Sequence, residues 1–247
     1  MINLIESSSF SFPKNENKTN QDSFLSPKEI GGGYLFAIAD GVGSYQGADL
    51  ASNTAISILN KTAEINNLND IKLIFDDILS NIIHLSKDNS GLSNAATTLT
   101  FCYLNDQGLN IGHVGDCRIY LKDDKNKLYQ VTKDHTLHQK LIDDGIFTRQ
   151  QLKNRSGKNK LTTAISRSID LNFDMFTINK NELPIIDGYL YIYLMSDGTH
   201  SFWEKRPKFS INTMSNIIQY SSSLLNRIRR STPTDDFTLV AMKFKII

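Results

Sequence analysis

An apolar strand that leads into an Asp-Gly pair occurs twice in this chain and constrains its fold more than any other sequence feature. The first copy covers residues 35–39 and ends in Asp40, which a glycine follows. The second covers residues 189–195 and reaches Asp197, which again precedes a glycine. A buried strand that opens into a loop is a rigid support for a reactive side chain. Three further acidic sites stand at loop–strand junctions: Asp22, Asp116 and Asp235-Asp236.

The order of the predicted elements indicates an α+β fold. Successive short strands without helical crossovers pair antiparallel, and two sheet layers with helices outside bury both faces of each sheet. We therefore expect one domain over residues 1–247, a four-layer sandwich of two antiparallel β-sheets flanked by α-helices. Helices are predicted over residues 47–63, 70–88 (capped by Asp70), 135–144 and 211–228. Strands are predicted over residues 34–39, 97–104, 108–114, 117–122, 128–131, 173–178, 189–195 and 237–244.

Two segments have weaker signals. Residues 1–33 carry little periodicity. Residues at about 145–160 are polar and basic, and this composition fits either a mobile flap beside the site or a solvated loop.

Composition excludes several classes of protein. Lysine and arginine number 27 against 26 acidic residues, so the net charge of +1 argues against a nucleic-acid or membrane-surface binder. The N-terminal residues lack the pattern of a signal peptide, and no stretch approaches the ~20 apolar residues of a spanning helix. Cys102 and Cys117 lie in apolar runs and are expected to be buried thiols, which fits the cytoplasm.

The acidic residues, taken as a set, predict a metal site. Each aspartate alone is an ordinary turn or cap residue. Several carboxylates in one place repel each other unless a cation neutralises them, and an all-oxygen ligand set favours Mg²⁺ or Mn²⁺ over Zn²⁺. Two such ions can share a carboxylate and a bridging water, which becomes a nucleophile for attack on a phosphoryl group. The glycines after Asp40 and Asp197 let the backbone approach an ion.

Seven short motifs follow one another along the chain. They are Asn20-Gln21-Asp22, Ala39-Asp40-Gly41-Val42-Gly43, Ala96-Thr97-Thr98-Leu99, Gly112-His113-Val114-Gly115-Asp116-Cys117-Arg118-Ile119-Tyr120, Thr132-Lys133-Asp134-His135-Thr136, Leu194-Met195-Ser196-Asp197-Gly198 and Thr234-Asp235-Asp236-Phe237-Thr238. In this order the motifs resemble the protein phosphatase 2C family, the metal-dependent serine/threonine phosphatases, in its compact bacterial form. The resemblance extends over about residues 17–244 and depends on the set of motifs in order. The family's fold, two antiparallel sheets flanked by helices, agrees with the pattern above.

The resemblance implies a role for each acidic position. Asp40 would bridge two ions, and the carbonyl oxygen of Gly41 would bind one of them. Asp197 and Asp235 would complete the site of the other ion, and Asp22 would hold a metal-bound water. The four aspartates named here are the predicted catalytic residues.

The chain departs from the family pattern around a third ion and at the leaving group. Asp116 would belong to a weaker third-ion site, but Ser201 stands where a second aspartate is usual, so a third ion should bind poorly. Val42 stands where eukaryotic relatives have a histidine proposed as general acid. The proton donor to the leaving alkoxide is therefore unassigned, with water as a candidate.

A further departure concerns the substrate phosphate. Asn17 stands where the family usually has a phosphate-binding arginine, and Lys14 or Lys18 are the candidates to replace it. An ammonium is a point charge and does not reproduce the bidentate arginine fork, so we expect weaker phosphate binding or a different substrate set.

The resemblance implies an active phosphatase that hydrolyses phosphoserine and phosphothreonine in proteins, opposes a serine/threonine kinase and works as a cytoplasmic monomer. Two alternatives stay open. One is a weakened pseudophosphatase that serves as a binding or regulatory module, because of Asn17 and Ser201. The other is a hydrolase of small phosphate compounds.

Overall fold

The computed structural model describes residues 1–43, 46–153 and 155–247. Their strands form two five-stranded antiparallel sheets. The first sheet has the order β1 (Ile2–Phe12), β12 (Phe237–Ile246), β11 (Tyr189–Met195), β7 (Arg118–Lys122) and β8 (Leu128–Gln130). The second has the order β10 (Asp174–Asn179), β6 (Gly108–Val114), β5 (Leu99–Asn105), β3 (Gly33–Asp40) and β2 (Asp22–Ile30). A separate short pair consists of β4 (Ala96–Thr97) and β9 (Ile165–Ser166).

Helices cover the outer face of each sheet. The helices that pack on the second sheet are α1 (Ala48–Lys61) and α2 (Leu68–Asp88). Those on the side of the first sheet are α5 (Asp197–Lys205), α6 (Ile211–Ser215) and α7 (Ile217–Arg229). The connection from β8 to β9 contains α3 (Leu137–Asp143) and α4 (Arg149–Leu152). Short 3₁₀ turns cover Ser90–Leu92 and Lys180–Glu182.

The core has three apolar layers, one between the sheets and one beneath each set of helices. In β3, Leu35 and Ala37 point into the layer under α1 and α2, whereas Phe36 and Ile38 point toward the other sheet. Because both faces of this strand are covered, it is apolar throughout, which is the pattern that predicted it. The predicted α+β sandwich is confirmed. In the described part of the chain, no helix has both the length and the apolar composition to cross a bilayer.

Residues 1–33 contain two long strands, β1 and β2, that their composition did not indicate. In the first sheet β1 is an edge strand, and it pairs with β12. Its centre is the run Ser7-Ser8-Ser9, whose side chains show no apolar alternation. Its pairing is therefore set by the partner strand, more than 200 residues away in sequence, rather than by a local signal.

Several predicted boundaries were wrong for local reasons. Asn67, not Asp70, caps α2, and the Asp70 carboxylate completes the capping box by accepting the Asn67 N–H. The helix predicted over 211–228 is two helices, because Asn216 is extended and its side chain caps α7. The strand predicted over 97–104 is interrupted at Thr98, whose N–H donates to the Asp40 carbonyl.

The predicted flap contains α4, which Thr148 and Gln151 stabilise through a capping box. One residue of that segment, at position 154, lies outside the described residues. Gly145 follows the end of α3 with a φ of 68°, and the preceding residue, Asp144, is its C-cap.

Candidate active site

Asp22 and Asp40 lie directly opposite each other on neighbouring strands. Asp22 is the first residue of β2, Asp40 is the last residue of β3, and the antiparallel register pairs them. Residues paired in this way have Cβ atoms about 5 Å apart. The register therefore brings two predicted site residues, 18 positions apart in the sequence, to the same end of the sheet.

The buried Asp22 carboxylate joins the two sheets. Its Oδ2 accepts hydrogen bonds from Ser196 Oγ at 2.8 Å and from Thr238 Oγ1 at 2.7 Å, both of which belong to the opposite half of the sandwich. Its Oδ1 is buried and has no hydrogen-bond partner among the described residues. Burial raises the pKa of Asp22 to about 7.

Gly41 supplies the close backbone approach that the motif predicts. A Cβ at this position would lie 2.5 Å from the carbonyl oxygen of Ala48 and 2.8 Å from that of Gln21, so only glycine fits. The backbone carbonyl oxygen of the neighbouring Asp40 accepts two hydrogen bonds, from Thr98 N at 2.8 Å and from Thr97 Oγ1 at 3.0 Å. The strand end is therefore fixed while the Asp40 side chain faces the cleft.

Asp197 opens α5, immediately after β11. Gly198 allows this helix start to approach the neighbouring loop, since a Cβ there would lie 2.0 Å from the Asp236 carbonyl oxygen. Asp197 Oδ2 accepts a hydrogen bond from Asn159 at 3.1 Å, and Oδ1 is buried without a partner among the described residues. Burial, together with the charge of Asp235, raises the pKa of Asp197 to about 6.

Asp235 and Asp236 have different environments although they are adjacent. Asp235 Oδ1 faces the cleft and accepts hydrogen bonds from its neighbour's N–H at 3.0 Å and from Lys14 Nζ at 3.2 Å. Asp236 is buried, and its two oxygens accept the backbone N–H groups of Lys14 and Gln21. One carboxylate is thus available to a ligand, and the other fixes the loop beside it.

Most of the predicted site residues line one cleft of about 290 Å³. Its lining includes Lys14, Asp40, Gly41, Asp116, Asn159, Asp197 and Asp235. The buried Asp22 lies opposite Asp40 and outside this lining. Lys18 and Asn17 are exposed and do not line the cleft either.

Asp116 follows β6 and lies at the junction of this cleft with an adjoining one of about 200 Å³. Burial, and the charges of Asp197 and Asp134, raise its pKa well above the ordinary range. Its carbonyl oxygen accepts a hydrogen bond from His200 Nε2 at 3.2 Å. Ser201, at the position where the family has an aspartate, donates its hydroxyl back to the Gly198 carbonyl.

The set of oxygens fits hard divalent cations, although it is not gathered into a finished ion site. Among the described residues, no three His, Cys, Asp or Glu side chains surround one point in a way that would hold an ion. Lys14 and Asn159 instead occupy one oxygen each of Asp235 and Asp197. Buried carboxylate oxygens without partners are costly, however, and a cation of the Mg²⁺ or Mn²⁺ type would satisfy them.

Sequence reasoning missed a partly buried ion-pair network beside the adjoining cleft. Arg118 Nε donates to Asp134 Oδ1 at 2.8 Å. Of the two terminal nitrogens of the same guanidinium, Nη2 donates to Asp134 Oδ2 and Nη1 donates to Glu204. Tyr120 donates to the same Glu204 oxygen at 2.9 Å. Arg118 and Asp134 belong to the quoted motifs, but Glu204 in α5 carries no sequence signal for this role.

The buried histidines are held by backbone and hydroxyl groups. His113 bonds Thr100 Oγ1 at 2.8 Å and the Lys133 carbonyl at 2.9 Å, and burial lowers its pKa to about 4. Burial likewise lowers the pKa of His200 to about 3. His84 is exposed on α2. None of these three lines the cleft that contains Asp40.

Known proteins resemble this chain over most of its length. The profile described as "Protein phosphatase 2C" matches residues 14–232. Protein phosphatase PhpP of Streptococcus pneumoniae is 26% identical over 185 residues, which are 72% of each chain. Serine/threonine protein phosphatase PstP of Mycobacterium tuberculosis is 28% identical over 151 residues, which are 60% of this chain and 28% of that protein.

Solved structures show the same fold. Serine/threonine phosphatase Stp1 from Staphylococcus aureus has a TM-score of 0.79 at 19% identity and covers 97% of this chain and 95% of that chain. The catalytic domain of PstP, solved in complex with two manganese ions, has a TM-score of 0.75 at 21% identity and covers 99% of this chain and 100% of that one. The family match and the fold agree with the motif order, and the chain belongs to the protein phosphatase 2C family.

Proposed function

We propose that this chain is a Mn²⁺- or Mg²⁺-dependent phosphatase acting on phosphoserine and phosphothreonine in proteins. The observation that carries the proposal is a pair of buried carboxylate oxygens, Asp22 Oδ1 and Asp197 Oδ1, which have no hydrogen-bond partner among the described residues. Family membership and the names of the phosphatases that the chain resembles support the same reaction.

In this proposal, Asp40, the Gly41 carbonyl, Asp197 and Asp235 would hold two ions. Such ions would supply a water of lowered pKa and would offset the charge that builds up on a phosphoryl group. Asp22 would orient the attacking water through Oδ1, because Ser196 and Thr238 donate to its other oxygen. Asp116 belongs to a third site that is weak, since Ser201 directs its hydroxyl into α5.

Lys14 is the cation we assign to the substrate phosphate. Its backbone N–H is anchored by Asp236 at 2.8 Å, and its ammonium lies in the cleft, 3.2 Å from Asp235 Oδ1. The charge of Asp235 raises its pKa against the opposing effect of burial, so the side chain stays charged. Lys18 is exposed outside the cleft, and the structure offers no support for the same role.

We further propose a single catalytic domain over residues 1–247 with a flap at about 145–160, acting as a cytoplasmic monomer on phosphoproteins. The hydrogen bond from Asn159 to Asp197 favours the flap assignment, because Asn159 belongs to that segment and Asp197 belongs to the proposed site. The buried, unpaired Cys102 and Cys117 fit a reducing compartment.

A pseudophosphatase is the second candidate, and one observation favours it. The ammonium of Lys14 is paired with Asp235, a predicted ion ligand, so it competes with a divalent ion for that oxygen. Such competition would weaken ion binding and leave the fold as a binding module.

Hydrolysis of a phosphothreonine peptide by the pure protein, with Mn²⁺, with Mg²⁺ and with chelator, separates the two candidates. The proposal predicts metal-dependent phosphate release that Asp40→Asn abolishes and that Asp76→Asn, a control at an exposed position of α2, leaves unchanged. No release from folded protein that still binds Mn²⁺ would favour the pseudophosphatase. An unchanged rate in Asp40→Asn would contradict the assignment of the site.

A further inference from the structure

A basic groove lies on the surface between the end of α5 and the C-terminal half of α7. We call it the basic groove and define it by four cationic side chains, Arg206, Lys208, Arg227 and Arg230. Its volume is about 770 Å³, and no acidic side chain of the described residues lines it. The groove is therefore positively charged.

The groove is held in shape by Arg227. Its guanidinium donates to the carbonyl oxygens of Arg206 at 2.6 Å and Lys208 at 3.0 Å, and its carbon lies 4.1 Å from the centre of the Phe209 ring. These contacts tie the segment after α5 to α7. A groove whose wall is already fixed loses little conformational freedom when a ligand binds.

The other three cationic side chains are free to contact a ligand, because no carboxylate of the described residues pairs with them. The side chains of Arg206, Lys208 and Arg230 are exposed, and none forms an ion pair with a carboxylate in the part of the chain that the structure describes. The C-terminus of a helix favours cations, but it carries only about half a negative charge. The whole chain has a net charge of only +1, so this concentration of cations is local.

The groove lies close to the proposed active site along the chain. Lys205 and Thr234 line the adjoining cleft of about 200 Å³, which also contains Asp235, and the nearby residues Arg206 and Ser231 line the basic groove. The four peptide steps from Ser231 to Asp235 span at most about 14 Å of extended backbone. An extended peptide advances about 3.3 Å per residue, so a residue roughly four positions from the phosphorylated one would reach the groove.

We propose that the basic groove docks an acidic segment of the phosphoprotein substrate, about three to six residues from the phosphorylated side chain. This inference rests on the proposed function and adds a sequence preference to it. The exposed cations attract the acidic segment, and the rigid wall around Arg227 fixes its direction relative to the cleft.

The test compares two phosphothreonine peptides that differ only in their flanking residues, Asp and Glu in one and Asn and Gln in the other. The groove variant combines Arg206→Gln, Lys208→Gln and Arg230→Gln, and leaves Arg227 in place. The control variant removes the same charge from the opposite helical layer, with Lys61→Gln, Lys72→Gln and Lys87→Gln, all exposed on α1 and α2.

The wild-type chain should hydrolyse the acidic peptide with a kcat/KM about tenfold above that of the neutral peptide at low salt, as expected for several exposed charge pairs. The groove variant should lose this preference and keep its rate on the neutral peptide, while the control variant keeps both. The preference should also decrease at high salt, because exposed charges are screened.

Equal kcat/KM values for the two peptides in the wild-type chain, or an equal loss in both variants, would overturn the proposal. Binding to phosphatidylglycerol vesicles that only the groove variant loses, with unchanged peptide kinetics, would also overturn it and assign the groove to a lipid surface. Turnover of 4-nitrophenyl phosphate tests the proposed function separately. If that turnover is absent, fluorescence anisotropy of the acidic peptide still tests the groove, and equal binding by wild type and groove variant would overturn it.

Discussion

The carboxylate of Asp236 holds the backbone of Lys14, whose N–H donates to Asp236 Oδ1 at 2.8 Å. The second oxygen of the same carboxylate accepts the N–H of Gln21 at 2.7 Å. A single buried side chain therefore fixes both ends of the loop that runs from 14 to 21. This loop carries the ammonium of Lys14 into the cleft.

Replacing Asp236 with asparagine should destabilise this chain. Asparagine has one oxygen acceptor, so its NH₂ group would face one of two backbone N–H donors and leave it unpaired. The unfolding free energy should fall by about 1–3 kcal/mol, the usual cost of a buried unsatisfied donor. Denaturant unfolding of Asp236→Asn measures the change, with Asp124→Asn in an exposed turn as control. Equal stability of the variant and the wild type would contradict the role of Asp236.

Lys14 should affect the binding of substrate and of metal in opposite directions. Lys14→Ala removes a cation from the cleft, so the KM for a phosphopeptide should rise by about tenfold, as for loss of one charged hydrogen bond. The same change frees Asp235 Oδ1 from its ion pair, so Mn²⁺ should bind more tightly. Phosphate release and calorimetric titration with Mn²⁺ measure the two effects.

The matched control for this prediction is Lys18→Ala, because Lys18 is exposed on the same loop outside the cleft. It should leave both the KM and the affinity for Mn²⁺ unchanged. If Lys18→Ala raised the KM as much as Lys14→Ala, the assignment of the phosphate contact to Lys14 would be wrong.

Metal should stabilise the fold through Asp40. Burial, and the neighbouring charges of Asp22 and Asp197, raise the pKa of Asp40 well above its ordinary range, because clustered carboxylates repel each other. In chelator, Asp40→Asn should therefore be at least as stable as the wild type. Mn²⁺ at about 100 times its Kd should stabilise the wild type by about 2.7 kcal/mol and the variant much less. Thermal unfolding with and without Mn²⁺ tests this, and an equal rise in Tm for both proteins would contradict it.

His113 should make the fold sensitive to acid. Burial, and then the nearby His135, lower the pKa of His113 from 6.5 to about 4. The unfolded chain therefore binds more protons than the folded chain between these values, and stability is lost as the pH falls from about 6.5 to about 4. The loss should total about 3 kcal/mol.

The comparison that isolates this contribution uses His113→Gln in chelator. Over the same pH interval, the difference in unfolding free energy between the wild type and the variant should shrink by about 3 kcal/mol. The buried carboxylates change stability in the opposite direction over part of this range, but they are present in both proteins and cancel in the difference. A difference that does not change with pH would show that His113 is not held neutral.

Local sequence signals were enough to predict the central strands. Strands β6 and β11 have the predicted limits, because each is buried on both faces and turn residues bound it. The Asp-Gly pairs at the ends of β3 and β11 were likewise predicted, since glycine is required where another part of the backbone comes close. The serine-rich β1 was not predicted, because its strand conformation depends on pairing with β12 rather than on a local sequence pattern.

The sequence by itself determined the fold class, the family and the acidic positions of the candidate site, because these depend on short motifs and on local periodicity. Only the tertiary structure decided which side chains meet. Asp236 holds Lys14, Asn159 donates to Asp197, and Glu204 pairs with Arg118. These partners are between 38 and 222 positions apart. Pairings across such separations follow from the packing of sheets and helices, and no local pattern specifies them.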